Sequence, residues 1–194
     1  VMITEPNEIK YHLKKCLYLA KAGRPGPCWI DIPLDVQGAV IETNDLIDYD
    51  EKEDIKEIPP KPVMSDISVL IEKIKTAKRP VILAGEAIRI ANVHNEFIKL
   101  VDKLQIPVVT AWNAHDNIWD EHPLYCGRPG SMGTRGGNFV TQNADLLISM
   151  GCRMNVRQIS YNWENFAKNA FLAYCDIDEG ELKKPTLSVD LPFH

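Results

Sequence analysis

The sequence is short of several things, and each shortage narrows the field. It has no apolar run near the roughly 18 residues that a membrane-spanning helix needs, so no membrane partner is expected. It has no charged-then-apolar signal segment at its start. It has no excess of basic charge: a net charge of -5 argues against nucleic acid and against an anionic surface. Its five cysteines (Cys16, Cys28, Cys126, Cys152, Cys175) are odd in number and include no CxxC, so reduced cytoplasmic thiols are expected in preference to disulfides or zinc. It has no GxGxxG or Walker motif, which disfavours a stand-alone dehydrogenase domain. It has no internal repeat of 20–50 residues.

What is present is an ordinary globular composition, 45% hydrophobic and 25% charged over 194 residues. Residues 7–22 carry Ile9, Leu13, Cys16, Leu17 and Ala20 at helical spacing, and Gly23 is a natural stop. A rigid turn over 23–27 leads to an expected strand over 28–32, which Pro33 ends. Residues 38–64 read as a connector, first acidic (Glu42, Asp45, Asp48, Asp50, Glu51, Glu53, Asp54), then stiffened by Pro59, Pro60 and Pro62. The acidic run is expected to be a solvated face.

A second unit opens at Ser65, a plausible N-cap before the stripe Ile67, Leu70, Ile71 and Ile74. Apolar strands are expected over 81–84, 108–110, 145–150 and 171–177, with a helix over 92–104 turning Val93, Phe97, Leu100, Val101 and Leu104 inward. Strands alternating with helices imply an α/β fold with a doubly wound parallel sheet of Rossmann-like type. In such sheets ligands sit beyond the carboxyl ends of the strands. Four polar or glycine clusters fall there: Gly85-Glu86, Thr110-Ala111-Trp112, Gly151-Cys152-Arg153 and Asp176-Ile177-Asp178.

The densest site-like stretch is 126–157. Its glycine-rich turn, with Gly130, Ser131, Met132, Gly133, Gly136 and Gly137, could cradle a phosphate on backbone N–H groups ahead of a short helix, and Arg153 and Arg157 suit an anion. A tight loop with surface arginines is the alternative. Asp176 and Asp178 equally suit strand termination and helix capping.

The order of these segments resembles a known family. The segment Gly23-Arg24-Pro25-Gly26-Pro27-Cys28-Trp29-Ile30-Asp31-Ile32-Pro33 is similar to the close of the pyrimidine-binding domain in thiamine-diphosphate enzymes of the acetolactate synthase type. Ala77-Lys78-Arg79-Pro80-Val81-Ile82-Leu83-Ala84-Gly85, Ile106-Pro107-Val108-Val109-Thr110, Gln142-Asn143-Ala144-Asp145-Leu146-Leu147-Ile148 with Gly151-Cys152-Arg153, and Asp176-Ile177-Asp178 resemble successive strands of the central domain. The resemblance implies three parts: 1–37 as a domain tail, 38–64 as a linker, 65–194 as a central nucleotide- or FAD-type domain. It also implies a parent transferase of branched-chain amino-acid biosynthesis, cytoplasmic and homo-oligomeric. Such a parent uses thiamine diphosphate and Mg2+ to decarboxylate a 2-oxo acid such as pyruvate and ligate the product.

The family's cofactor glutamate and Gly-Asp-Gly…Asn metal motif have no counterpart here, so the chain reads as an inactive fragment with no catalytic or metal residue of its own. FAD, ADP or no nucleotide at all remains open for the central domain. The cofactor-binding positions that the resemblance implies are Arg24, Gly85, Glu86, Ala87, Thr110, Ala111, Gly130, Ser131, Met132, Gly151, Arg153, Arg157, Asp176 and Asp190. Two departures stand out. Glu86 follows Gly85 where the family is glycine-rich, and Ser131-Met132-Gly133 stands where Met-His-Gly is usual. A non-catalytic nucleotide-binding or structural module is the competing reading.

Overall fold

The computed structural model describes residues 1–55 and 61–194. Pro59 and Pro60 of the expected linker lie outside the described residues. The chain divides into two compact units, Val1–Pro59 and Pro60–His194.

In the first unit, a 3-10 turn at Pro6–Glu8 leads into α1 (Ile9–Leu19), and a short α2 (Leu34–Gln37) follows. The strand expected over 28–32 is reduced to one parallel bridge, Met2 with Asp31. The N–H of Asp31 donates to Val1 O at 2.8 Å, and the N–H of Ile3 donates to Asp31 O at 2.9 Å. Pro27 and Pro33 on either side supply no N–H, which shortens any ladder there. The acidic connector is more than a solvated face. Asp48 pairs with Lys10 at 2.8 Å and Lys14 at 2.5 Å, Asp54 with Lys15 at 2.8 Å, and Tyr11 Oη donates to Glu53 at 2.7 Å. Residues 48–54 are thereby tied along α1.

The second unit runs α3 (Met64–Thr76), β1 (Pro80–Ala84), α4 (Ala87–Ile90), α5 (His94–Leu104), β2 (Val108–Thr110), α6 (Arg135–Gln142), β3 (Leu146–Met150), α7 (Val156–Ile159), β4 (Phe171–Cys175), α8 (Glu179–Leu182) and β5 (Leu191–Phe193). The strands form one five-stranded sheet in the order β2-β1-β3-β4-β5, every pair parallel. Ile82 lies opposite both Val108 and Ile148, and Ala173 opposite Ile148 and Leu191.

Alternation along the strands gives each face its own core. Val81, Leu83, Val109, Leu147, Leu172 and Tyr174 join Met154, Ile159 and Phe166 on one face. Ile82, Ala84, Val108, Leu146 and Ile148 meet Phe97, Val101, Ile106 and Ile118 on the other.

Four local expectations shift. Val63, not Ser65, occupies the N-cap of α3, because the helix starts at Met64 and takes Ser65 into its first turn. Ile71 stays 45% exposed, since only Leu70 and Ile74 of its stripe pack on the sheet core. The helix expected over 92–104 is preceded by α4 and interrupted at Asn92, whose φ of 56° is left-handed and cannot continue a helix. The strand expected to reach 177 stops at Cys175, and β5, not anticipated, becomes the sheet edge.

Candidate functional site

The chain leaves β1 for β2 on one side and returns to place β3 on the other, so the topological switch point lies between the carboxyl ends of β1 and β3. That is where open α/β sheets form their ligand crevice. Here the two strand ends close tightly on each other. The N–H of Gly85 donates to Met150 O at 2.9 Å, and the N–H of Ala87 donates to Gly151 O at 3.3 Å. A Cβ on Gly85 would fall 2.0 Å from Gly151 O, and a Cβ on Gly151, at φ 58°, would fall 2.4 Å from Ala87 Cβ. Both glycines are needed for this contact, so their missing side chains are filled by protein.

Glu86 follows Gly85 and is the N-cap residue of α4. Its Oε2 is buried, with no hydrogen-bond partner among the described residues. Burial pushes its carboxyl above the ordinary carboxylate value and the nearby Asp116 pushes it further, while Arg89 and His115 pull it back. Arg89 is itself bound to Asp116, through a side-chain pair at 3.2 Å and a hydrogen bond to the Asp116 carbonyl.

Thr110 ends β2 fully buried with Oγ1 unpartnered among the described residues, and the N–H of Ala111 donates to Ala84 O at 2.9 Å. A 3-10 segment, Trp112–Asn117, follows. Its last residue, Asn117, is fully buried. Asn117 Nδ2 donates to Gly85 O at 2.9 Å, leaving its Oδ1 without a partner among the described residues. Asn117 is not among the positions that the sequence singled out.

Five N–H groups of the glycine-rich turn are turned to protein acceptors. Gly130 N–H donates to Asn138 Oδ1 at 2.8 Å, Ser131 N–H to Arg157 O at 2.8 Å, and Gly133 N–H to Gly130 O at 3.0 Å. Thr134 N–H donates to Arg128 O at 2.8 Å, and Gly137 N–H to the Thr134 hydroxyl that caps α6 at 3.1 Å. Added Cβ atoms at Gly130, Gly133 and Gly137 would strike Arg157 O at 2.6 Å, Arg128 O at 2.3 Å and Arg128 backbone at 2.5 Å. The turn is thus folded against itself and against α7. The buried Gln158, another residue missed in the sequence, adds a bond from Nε2 to Pro129 O at 2.9 Å.

Of the residues in this stretch, Met132 stands 70% exposed, and Arg157 is exposed with its guanidinium 5.8 Å from the centre of the Trp112 ring. Trp112 therefore joins the 112–117 segment to α7 by a cation–π contact. Arg153 is held differently. Its Nε pairs with Glu181 at 2.7 Å, and Glu181 also pairs with Lys184 at 3.1 Å. Lys184 in turn donates to the carbonyls of Arg153 and Met154.

Asp176 is buried and its carboxylate is occupied by its own chain, accepting from Tyr174 Oη at 3.3 Å and from the N–H of Asp178 at 3.0 Å. Burial drives the Tyr174 phenol far up, with Asp176 adding to it, so Tyr174 remains a neutral donor. Asp178 caps α8. The carboxylate of Asp190 accepts from the N–H of Leu172 at 2.8 Å, at the start of β4 and β5, so it lies at the opposite end of the sheet from the crevice. Arg24 belongs to the first compact unit.

The structure thus brings Gly85, Glu86, Ala87, Thr110, Ala111 and Gly151 together at the switch point, and Gly130, Ser131 and Arg157 at the adjoining loop. It does not bring Asp190 to them. All five cysteines are unbridged, and buried Cys152, its thiol pushed up to about 11 by burial, is a core residue. Among the described residues no helix is long and apolar enough to cross a membrane.

Comparison with known proteins matches these features. The family model described as "Thiamine pyrophosphate enzyme, central domain" covers residues 67–193. The chain is 37% identical over 178 residues to a probable acetolactate synthase large subunit of Methanococcus aeolicus, covering 90% of this chain and 29% of that protein. It is 35% identical to the acetolactate synthase large subunit of Corynebacterium glutamicum, covering 94% of this chain and 29% of that one. It is also 35% identical to the acetolactate synthase isozyme 1 large subunit of Escherichia coli strain K12, covering 95% of this chain and 33% of that one. The chain spans about a third of the length of these curated relatives. With the all-parallel sheet and switch-point crevice in place, the chain belongs to the thiamine pyrophosphate enzyme family, through that family's central domain.

Proposed function

We propose that this chain is the central domain, with the close of the preceding domain, of a thiamine-diphosphate-dependent carboligase of the acetolactate synthase type. One observation carries the reading: a 35%-identical alignment covers 95% of the chain and so spans both compact units. On this reading 1–37 is a domain tail, 38–64 a linker and 65–194 the central domain. The parent protein is a transferase of branched-chain amino-acid biosynthesis. It acts on a 2-oxo acid such as pyruvate and works as a cytoplasmic homo-oligomer with thiamine diphosphate and Mg2+.

The residues present do not fit those two cofactors. No group of three or more His, Cys, Asp or Glu converges on a metal position among the described residues, and the chain has no Gly-Asp-Gly motif. They do not fit an FAD diphosphate at the switch point either. The N–H groups of Gly85 and Ala87 are bonded to Met150 and Gly151 at the end of β3, those of Gly130, Ser131, Gly133, Thr134 and Gly137 are bonded to protein acceptors, and the side chain that follows Gly85 is a carboxyl. No reaction step is assigned to these residues; their contribution is a rigid scaffold. The second reading is a nucleotide-binding or structural module without catalysis, and the same bonded N–H groups favour its structural form.

The isolated chain, given pyruvate, thiamine diphosphate and Mg2+, should release no CO2 above background. Grafted in place of the matching third of the Escherichia coli large subunit, it should support acetolactate formation. Turnover by the isolated chain would overturn the reading of it as an inactive fragment, and a folded but inactive graft would count against the carboligase reading.

A further inference from the structure

The first unit sets two thiols side by side, and the carboligase reading uses neither. Cys16 lies partly buried on the apolar stripe of α1, and Cys28 lies exposed on the segment that follows the helix. The backbone brings them abreast. Gly23, at a left-handed φ of 60°, turns the chain back after α1, and the N–H of Gly26 then donates to Ala20 O at 3.2 Å. From Ala20 back to Cys16 is one helical turn, about 6 Å along the axis. From Gly26 on to Cys28 is two residues, about 6–7 Å of extended chain. Pro25 and Pro27 stiffen this segment, and Asp31 anchors its far end. The N–H of Asp31 donates to Val1 O at 2.8 Å, and its carbonyl accepts from the N–H of Ile3 at 2.9 Å. The two side chains meet. Burial raises the Cys16 thiol above its ordinary value, and the charge of Cys28 and a hydrogen bond between the two thiols raise it further. The other three cysteines, Cys126, Cys152 and Cys175, belong to the second unit.

We propose that Cys16 and Cys28 form a reversible dithiol–disulfide site, closed by exchange with a low-molecular-weight disulfide, that clips the segment 26–31 onto α1. Cys28 is the entry thiol, because it is the more exposed of the two. Its thiolate attacks one sulfur of the oxidant, forming a mixed disulfide and releasing one thiol. Cys16 gives up its proton as it attacks the Cys28 sulfur, which closes the protein bridge and releases the second thiol. One S–S bond is made in the protein and one is broken in the oxidant. Two electrons pass to the oxidant, and the two protons end on the released thiols. A small-molecule thiol in excess runs the same steps backwards. The bridge closes a short loop in a unit whose buried apolar side chains, among the described residues, are only Ile3, Val36 and Tyr49, so the constraint falls where the core is smallest. The proposal stands apart from the carboligase reading and draws only on the fold of the first unit.

Oxidised glutathione is the probe. The chain is incubated with it, remaining thiols are alkylated, and the product is cut with trypsin for mass spectrometry. Trypsin cuts after Lys21, between the two cysteines, so the bridge leaves a linked pair of peptides. That pair should be the main disulfide product, and dithiothreitol should abolish it. In Cys16→Ser, Cys28 should stop at the mixed disulfide with glutathione. Amide exchange in the last turn of α1 should slow about tenfold in the oxidised parent and stay unchanged in Cys28→Ser treated alike. Glutathione found on separate cysteines without the linked pair, or bridges that run mainly to Cys126 or Cys175, would overturn the site. This measurement is made on the unsubstituted chain, so poor folding of a variant does not blunt it. A linked pair that leaves α1 exchange unchanged would overturn the clip. None of these outcomes bears on the carboligase reading, which the graft tests by itself.

Discussion

At the scale of single residues, the two strand-end glycines are among the least replaceable positions of the second unit. A methyl group on Gly85 would meet backbone atoms of Gly151 and Cys152 at 2.0 to 2.4 Å, and backbone cannot swing aside as a side-chain tip can. Gly85→Ala should lower stability by about 2–4 kcal/mol, in the range of overpacked core sites. Gly136→Ala makes a useful contrast. Its nearest contact would be Cys126 O at 3.1 Å, and it gains up to about 1 kcal/mol of helix propensity within α6, so it should be near neutral. Urea unfolding of the two variants checks this, and equal midpoints would contradict it. The sequence marked these glycines as site residues because glycine lets backbone approach a ligand. The same freedom serves here for backbone to approach backbone, a distinction that composition does not carry. Asn117 and Gln158 escaped notice for a related reason: each bonds a carbonyl far along the chain, Gly85 and Pro129 respectively, and nothing in the local pattern marks such a partner.

At the scale of elements, four sheet strands were legible because each is a continuous apolar run bounded by turn residues, as a strand covered on both faces must be. The fifth was not. β5 is three residues long with Pro192 at its centre, a composition tolerated only at a sheet edge, and its place is fixed by the bonds of Asp190 to Leu172. In the first unit the acidic run was legible as charge but not as a clamp, since its lysine partners lie more than 30 residues earlier on α1. The paired ammonium groups of Lys10 and Lys14 hold the Asp48 carboxyl well below its usual range, helped by the N–H of Tyr49. A carboxyl depressed in the folded state adds stability above its ordinary value of about 3.9 and loses it as pH falls through the folded value. Asp48→Asn should therefore speed amide exchange in α1 at neutral pH, with the difference from the parent shrinking in strong acid. Because the groups are exposed, the difference should also shrink at about 1 M salt. Exchange in α1 that is insensitive to both would remove the clamp from the account.

At the scale of the whole molecule, the two compact units have very different means of staying folded. The second has five paired parallel strands with a core on each face, and its buried residues include Leu83, Val101, Val108, Leu147 and Tyr174 at no exposure. The first buries only Ile3, Val36 and Tyr49 among its apolar side chains within the described residues, leaves Trp29 78% and Leu34 83% exposed, and relies on surface ion pairs along α1. Exposed pairs are worth little each, and apolar area removed from water is the main stabilising term, so the first unit should be the weaker by several kcal/mol. Opening free energies differ across a structure in this way when burial differs. Native-state hydrogen exchange should show α1 amides exchanging through low-energy openings, while those of β1, β3 and β4 exchange only on global unfolding of the second unit. A urea titration followed at Trp29, in a variant with Trp112, Trp119 and Trp163 replaced by phenylalanine, should fall at lower denaturant than the far-ultraviolet signal of the sheet unit. Coincident transitions with equal protection in α1 and β3 would mean that the first unit draws its stability from more than its own core.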